Sequence, residues 1–162
     1  MYTNNDIDTF LKKIIDSQNQ TSENANETET SIVQVRSEID KNILKDLINQ
    51  KLDYRHKVIR LLAEICKDES QRHECVKLDF ISSLKDPLQS GTTQEKIESC
   101  RAIGNMCYEN ANGCDLVFNI IGINTLFDVC RYSCEIHENE SGQLRMMTLG
   151  ALHNIINSNG KI

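Results

Sequence analysis

Three stretches of this chain repeat one helical pattern, and that repetition limits the folds available to it. The stretches begin at Arg60 (R-L-L-A-E-I-C-K-D-E), Arg101 (R-A-I-G-N-M-C-Y-E-N) and Gly150 (G-A-L-H-N-I-I-N-S-N), so they start 41 and 49 residues apart. In each stretch the apolar residues recur at steps of three and four, which places them on one face of a helix. The chain therefore contains at least three related amphipathic helices.

The spacing between these helices indicates a repeat architecture. A helical pattern that returns every ~40–47 residues is typical of armadillo and HEAT repeats, whose units stack side by side. Shorter apolar patterns between the repeated stretches predict a short and a medium helix before each long one. Because one such unit cannot bury its apolar face alone, neighbouring units must stack. We therefore expect an all-α armadillo-type α-solenoid, a right-handed superhelix of three-helix repeats.

Apolar periodicity also places the helices along the chain. It predicts helices over residues 6–16, 31–40, 42–50, 54–67, 69–77, 79–89, 93–109, 114–120, 124–134 and 144–157, with breaks at 110–113 and 135–142. Pro87 should kink or end its helix, since proline lacks an amide hydrogen. Residues 17–30 are nearly all polar, so we expect a flexible loop there. Residues 1–30 are thus a short helix plus a polar loop, and residues 31–162 are about three repeats, the first of them degenerate.

Charge and composition narrow the classes of function. The 162 residues carry a formal net charge of −6. A general nucleic-acid binder needs a basic face to neutralise phosphates, so this charge disfavours one and is compatible with a basic protein partner. No signal-peptide pattern opens the chain, and no stretch approaches the ~18 apolar residues of a membrane span. The seven cysteines are therefore expected to be reduced thiols of a cytoplasmic protein, with nuclear presence left open.

Motifs for covalent chemistry are missing from the sequence. It contains no G-x-S-x-G, no glycine-rich phosphate loop and no H-E-x-x-H. Cys130 and Cys134 are a candidate metal-binding pair, but a matching second pair is lacking, so zinc is not expected. The sequence accordingly predicts a protein that is not an enzyme, with no catalytic residue, metal, cofactor or small-molecule substrate.

A polar stripe on the long helices is the main candidate binding surface. In a stacked solenoid the long helices line the concave side, where exposed side chains can meet a partner. The stripe comprises Arg60, Glu64, Arg101, Asn105, Tyr108, Gly150, Asn154 and Asn157. Asparagine amides both donate and accept hydrogen bonds, and therefore suit the backbone of an extended peptide. The alternative is a solvated helix face, or asparagines that serve a neighbouring helix.

The repeated helices also carry a more specific resemblance. The segments K-V-I-R-L-L-A-E-I-C-K-D-E-S-Q-R-H-E-C-V, C-R-A-I-G-N-M-C-Y-E-N and G-A-L-H-N-I-I-N-S-N resemble the amino-terminal repeats of the SmgGDS-type family, the armadillo GDP-dissociation stimulators of Ras- and Rho-family small GTPases. The resemblance covers residues 42–159. It implies a regulator that binds small GTPases with a basic, in some cases prenylated, tail, promotes nucleotide dissociation and chaperones the lipidated GTPase. In this family exchange depends on later repeats, so the sequence supports binding better than exchange.

The resemblance implies a site for a prenyl group and a dock for a basic tail. For the prenyl group the sequence offers Ile65, Cys66, Met106, Cys107 and Ile155. The alternative is that these side chains are ordinary core between repeats. For the basic tail it offers the acidic residues Glu64, Asp68, Glu69, Glu95, Glu98 and Glu109. The alternative is a solvated charged face, diluted by nearby lysine and arginine.

A second function remains open at this point, namely a generic armadillo scaffold that binds another extended peptide and has no exchange activity. Importin-type faces carry a tryptophan four residues before each stripe asparagine. Arg101 and Gly150 hold those places here, and the chain has no tryptophan. This departure counts against recognition of nuclear-import signals.

Overall fold

The computed structural model describes residues 2–19, 34, 38–137 and 139–159, and within these ranges the chain is helical without any strand. This confirms the all-α prediction. In chain order the helices are α1 (Asn4–Asn19), α2 (Lys41–Ile48), α3 (Arg55–Ile65), α4 (Glu69–Lys77), α5 (Phe80–Ser83), α6 (Lys85–Ser90), α7 (Thr93–Cys107), α8 (Ala111–Ile120), α9 (Ile123–Glu135) and α10 (Ser141–Asn159).

The helices that carry the repeated pattern, α3, α7 and α10, pack side by side in that order. α7 lies between the other two, and α1 and α2 pack against α3. Before α7 the chain forms α4 and then the pair α5 and α6, and before α10 it forms α8 and then α9. The unit of α8, α9 and α10 follows the predicted order of short, medium and long helices. In the unit that ends with α7, the short pair α5 and α6 stands in place of the medium helix.

The core between these helices consists of aliphatic and sulfur-containing side chains. The fully buried residues include Val58, Leu61, Leu62 and Ile65 of α3, Ile97, Ile103 and Met106 of α7, and Leu144 and Ile155 of α10. Five of the seven cysteines are buried as free thiols: Cys66, Cys75, Cys100, Cys107 and Cys114. Burial raises the pKa of Cys100 to about 12, so this thiol stays protonated and packs as a small apolar group.

Side-chain caps fix where several helices begin. The Thr92 hydroxyl accepts a hydrogen bond from the amide of Glu95, and the Glu95 carboxylate accepts one from the amide of Thr92. This reciprocal capping box opens α7. At the start of α4, Asp68 accepts a hydrogen bond from the amide of Gln71. Such caps satisfy amides that no carbonyl of the same helix can reach, and α4 has the bounds that the sequence predicts.

The single helix predicted over residues 79–89 is wrong, because the chain forms two short helices there. α5 ends at Ser83 and α6 begins at Lys85, with Leu84 between them. Pro87 lies inside α6, so it cannot donate a hydrogen bond to the carbonyl of Ser83, and its ring crowds that carbonyl. The proline therefore breaks the helix upstream of its own position.

The break predicted at residues 110–113 is present but lies earlier, at residues 108–110. α8 already begins at Ala111, because the Asn110 side chain accepts a hydrogen bond from the amide of Gly113 and caps the helix. A Cβ at Gly113 would lie 2.5 Å from the carbonyl oxygen of Met106. Glycine is thus required where α8 turns tightly away from α7.

The amino-terminal part of the chain agrees only partly with the predictions. α1 contains the helix predicted over residues 6–16 and continues through residues 17–19, which were predicted to be loop. Residues 20–30, and most of the helix predicted over 31–40, lie outside the described residues. The division of the chain at residue 30 stays a prediction.

Candidate functional site

Two asparagine side chains join the long helices into a ladder. Asn105 Nδ2 of α7 donates a hydrogen bond to the backbone carbonyl of Ala63 in α3, at 2.8 Å. Asn154 Nδ2 of α10 donates in the same way to the carbonyl of Gly104 in α7, at 2.9 Å. The two donors occupy equivalent positions of the repeated pattern, and so do the two acceptors. Each long helix is therefore held to the preceding one by the same bond.

These bonds show what the stripe asparagines do inside the fold. Asn105 and Asn154 each donate an amide hydrogen to a carbonyl of a neighbouring helix. Asparagines that serve a neighbouring helix were one of the alternatives to peptide binding that the sequence left open. Asn157 is exposed, and its amide lies 2.8 Å from Nε2 of His153 on the same helix. Each of these two asparagines can offer a partner only its other amide hydrogen and its amide oxygen. The role of Asn105 and Asn154 in binding a partner stays a prediction.

Replacing Asn105 or Asn154 with aspartate should lower the free energy of unfolding by about 1–3 kcal/mol, because a carboxylate oxygen would then face a carbonyl oxygen. Asn157→Asp is the matched control, since this side chain is exposed and bonds within its own helix. Urea unfolding measures all three variants. If the ladder variants are as stable as the control, the two inter-helix bonds do not hold the long helices together.

Two buried acidic residues, Glu64 of α3 and Glu98 of α7, each pair with a basic residue three positions further along the chain. The Glu64 carboxylate is buried and lies 2.6 Å from Lys67 Nζ. The Glu98 carboxylate is also buried and lies 3.1 Å from Arg101 Nε. Burial raises the pKa of Glu98 above its ordinary value, although Arg101 and Arg60 act in the opposite direction. Glu64 of the stripe and Glu98 beside it thus already have basic neighbours.

These ion pairs bear on the acidic dock suggested for a basic tail. Glu64, Glu95 and Glu98 are buried, and each pairs with a base of the same chain. Glu69 and Glu109 are exposed. A carboxylate with an internal cation has less attraction left for a partner's lysine or arginine. Half of the suggested acidic patch is therefore neutralised inside the chain.

A groove lies between α7 and α10 beside the stripe. Its volume is about 480 Å³, and its walls include the stripe residues Arg101, Asn105, Gly150 and Asn154. Met146 and Leu149 of α10 add an apolar margin. A Cβ at Gly150 would meet no other atom within 4 Å, so the glycine leaves space at the surface of α10. The groove thus combines amide, cationic and apolar groups.

The sequence interpretation did not include Met146 or Leu149 in the site. Their only signal is their position, because they stand three residues apart in a helix whose single charged residue is Arg145. Periodicity could place them on one face of α10, but not show that the face is exposed.

Tyr108 is the most exposed aromatic side chain on the stripe, with 49% of its surface accessible. α7 ends at Cys107, so Tyr108 lies outside the helix and does not continue the face of Arg101 and Asn105, although the sequence predicted that it would. Arg72 of α4 holds it there. Arg72 Nη1 donates to the Tyr108 carbonyl at 2.6 Å, and the guanidinium carbon stands 5.2 Å from the ring centroid. Arg72 also donates to the carbonyls of Cys66 and Lys67 at the end of α3. The buried arginine therefore satisfies the ends of two long helices.

The five residues suggested for a prenyl pocket lie in the core. Ile65, Cys66, Met106, Cys107 and Ile155 are all fully buried. Ordinary core packing, the alternative from the sequence, describes their surroundings. A role in prenyl binding stays a prediction, and it requires the long helices to separate.

A metal site or a membrane span would each indicate a particular class of function. In the described ranges, no group of three or more histidine, cysteine, aspartate or glutamate side chains is placed to hold a metal ion. Among the same residues no single helix has the length and apolarity of a membrane span. α8 and α9, which meet at an angle of 78°, reach those limits only when taken together.

Comparison with known proteins finds relatives among GTPase regulators. The chain is 30% identical over 120 residues to Rap1 GTPase-GDP dissociation stimulator 1-B of Xenopus laevis. It is 29% identical over 120 residues to stimulator 1-A of the same organism. It is 33% identical over 73 residues to the GTPase-GDP dissociation stimulator vimar of Drosophila melanogaster. No family model and no solved structure matches the chain.

The share of each protein that a match covers limits what the match shows. Each Xenopus match covers 74% of this chain and 20% of the relative, and the match to vimar covers 42% of this chain and 12% of the relative. The chain therefore spans about a fifth of the length of the Xenopus proteins. The matches confirm the resemblance inferred from the repeated helices. Over 74% of its length, this chain is a homologue of the SmgGDS-type GTPase-GDP dissociation stimulators.

Proposed function

We propose that this chain is an armadillo-type α-solenoid that binds a small GTPase of the Ras or Rho family on the stripe side of α3, α7 and α10. The GTPase contributes a basic tail, with or without a prenyl group, and binding promotes release of its guanine nucleotide. Release follows if the chain binds the nucleotide-free GTPase more tightly than the loaded form, so no covalent step is needed. The similarity to dissociation stimulators supports this proposal.

The observation that carries the proposal is the groove between α7 and α10, and Tyr108, which does not line it, is a second exposed candidate contact. Tyrosine and arginine are over-represented among the residues that dominate binding energies. Tyr108 offers an exposed ring that Arg72 holds in place, and Arg101 reaches the wall of the groove. A mixed surface of this kind suits a folded protein partner and its tail.

A generic scaffold for another extended peptide has less support. Such a scaffold reads the peptide backbone with a row of free asparagine amides. Asn105 and Asn154 donate to neighbouring helices instead.

Because Glu64 and Glu98 already have basic neighbours, we expect the affinity for the basic tail of the GTPase to depend only moderately on the salt concentration.

Tyr108→Ala should weaken binding to a Rho-type GTPase at least about ten-fold, because the exposed ring is the strongest candidate contact of the stripe. The measurement is the dissociation constant by isothermal calorimetry, for the prenylated and the unprenylated GTPase at about 0.05 M and 0.5 M salt. Phe127→Ala is the matched control, since Phe127 of α9 is 51% exposed against 49% for Tyr108.

Separate outcomes test separate parts of the proposal. Equal losses of affinity in the Tyr108→Ala and Phe127→Ala variants would mean that the GTPase does not bind on the stripe. If the chain binds the GTPase but the release of fluorescent GDP is unaltered, the proposed stimulation of release is wrong and the chaperone role remains. A failure of the wild-type chain to bind either form of the GTPase would overturn the proposed function.

A further inference from the structure

Two arginines occupy equivalent positions of the repeated pattern on neighbouring long helices. Arg60 opens the repeated stretch of α3, and Arg101 opens that of α7. Packed helices such as these have axes about 8–10 Å apart, so two long side chains at equivalent positions can reach one point between them. Both arginines act to lower the pKa of the Glu98 carboxylate, so both guanidinium groups lie close to it.

The bases of this part of the stripe lie outside the acids. In the pair of Glu98 and Arg101, 6% of the acidic side chain is exposed and 24% of the basic one. In the pair of Glu64 and Lys67 the exposed fractions are 4% and 42%. Both ion pairs therefore turn their basic member toward a partner, although the chain as a whole carries a net charge of −6.

The chain does not supply enough acceptors for the two arginines. Among the described residues, neither Arg60 Nε nor Arg101 Nε has a hydrogen-bond partner, and both atoms are buried. Arg101 Nε lies 3.1 Å from Glu98 Oε2, but the two groups are too poorly aligned for a hydrogen bond. Because Lys67 already pairs with Glu64, the single carboxylate of Glu98 faces two guanidinium groups. One positive charge at this point of the stripe is therefore left without a counterion in the chain.

A carboxylate is the group that fits this excess charge. The planar guanidinium group matches the two oxygens of a carboxylate and binds them with charge-assisted hydrogen bonds. One uncompensated charge calls for one such group. A polyanion such as a nucleic acid would be repelled by the rest of the chain, with its net charge of −6.

We propose that Arg60 and Arg101 together bind the carboxylate of an aspartate or glutamate side chain on the folded body of the GTPase. The identity of the partner rests on the proposed function, and the contact adds which of its groups meets the stripe between α3 and α7. The basic tail of the GTPase then lies away from these two arginines, because it would meet like charge there.

Arg60→Gln and Arg101→Gln should each weaken binding to a Rho-type GTPase about ten-fold, because each removes one of the two charged donors. Isothermal calorimetry with the prenylated and the unprenylated GTPase measures the affinity. Between about 0.05 M and 0.5 M salt, both variants should lose less affinity than the wild type. Arg131→Gln is the matched control, because Arg131 also pairs with an acid three residues before it, Asp128, and lies on α9.

Glu98→Gln tests the sign of the contact. Glutamine has nearly the same shape but no charge, so it no longer competes with the partner's carboxylate for the two arginines. We expect this variant to bind the GTPase about three-fold more tightly than the wild type. If a basic group docked here instead, Glu98→Gln would bind more weakly and Arg101→Gln more tightly. Urea unfolding of each variant shows that it is folded at the temperature of the binding measurement.

The outcomes separate this contact from the proposed function. If the wild type binds the GTPase and the variants of Arg60 and Arg101 lose no more affinity than Arg131→Gln, the carboxylate contact is wrong and the proposed function stands. A Glu98→Gln variant that binds more weakly than the wild type would also overturn the contact alone. A wild type that binds neither form of the GTPase would overturn the proposed function and the contact with it.

Discussion

Replacing Glu95 with alanine is expected to lower the free energy of unfolding by about 3–5 kcal/mol, because it leaves a buried arginine without its main partner. Glu95 Oε1 lies 2.5 Å from Arg55 Nε, and both side chains are buried. Asp86 also contacts Arg55, at 2.8 Å, but is itself half exposed. The other Glu95 oxygen accepts the Thr92 amide at 2.7 Å and completes the cap of α7. One truncation therefore removes an ion pair and a helix cap together.

Glu95→Gln separates these two contributions. Glutamine keeps an oxygen for the Thr92 amide and loses the charge, so the expected loss is smaller, about 1.5–3 kcal/mol for a hydrogen bond to a charged group. Asp86→Asn is the matched control, because it weakens the exposed partner of the same arginine. The order of stability by urea unfolding should be Asp86→Asn, then Glu95→Gln, then Glu95→Ala. A Glu95→Ala variant as stable as Asp86→Asn would contradict the assignment.

The pH dependence of stability gives a second readout for Glu95. Burial acts to raise the pKa of Glu95, but the hydrogen bonds from Arg55 and Thr92 outweigh it and hold the pKa below its ordinary value. A lowered pKa in the folded state stabilises the fold above the unfolded value of about 4.3, and this contribution is lost as the pH falls through the folded value. Glu95→Gln should lose the corresponding part of the acid-dependent slope.

Local signals in the sequence were sufficient for most helix positions. α4 has the predicted bounds, and Asp68 caps its start. Asp79, just before α5, adopts the left-handed conformation that favours glycine, with φ of 59°. Pro87 was expected to kink or end its helix, but not to divide residues 79–89 into two helices, and the break predicted at 110–113 lies a few residues earlier. Pro87 disrupts a carbonyl four residues away, and Asn110 caps a helix from outside it.

The candidate site was harder to predict, because its features depend on contacts between distant residues. Repeat alignment placed Asn105 and Asn154 at equivalent positions, but the bonds to carbonyls on the preceding helix appear only when the helices are packed. Arg72 shows the same difficulty. Arg72 lies in a mostly polar stretch, and nothing in the sequence indicated a role for it. In the fold its guanidinium donates hydrogen bonds to carbonyls at the ends of α3 and α7. Composition likewise gave a net charge without showing which acids have internal partners.

Two glycines in the long helices should respond to substitution in opposite directions. Gly104 faces Ala151 across the interface between α7 and α10, and a Cβ there would lie 3.3 Å from the Ala151 Cα. Because that atom belongs to the backbone, it cannot rotate away. Gly150 lies on the outer surface of α10, where a Cβ would meet no other atom within 4 Å.

Gly104→Leu should therefore lower the free energy of unfolding by about 3 kcal/mol, because a large side chain would push α10 away from α7. The same displacement would lengthen the bond from Asn154 to the Gly104 carbonyl and widen the groove. Gly150→Ala should instead raise stability by about 0.5–1 kcal/mol, the usual gain from replacing an exposed helix glycine. Urea unfolding of the two variants gives both signs in one experiment.

The intermediate variant Gly104→Ala makes the test quantitative. Its gain in helix propensity, up to about 1 kcal/mol, opposes the close contact with Ala151, so its stability should stay near that of the wild type. A smooth rise in stability from glycine through alanine to leucine would mean that α7 and α10 are not in close contact. A steep fall at leucine, accompanied by weaker GTPase binding, would show that the spacing of the long helices sets the shape of the binding groove.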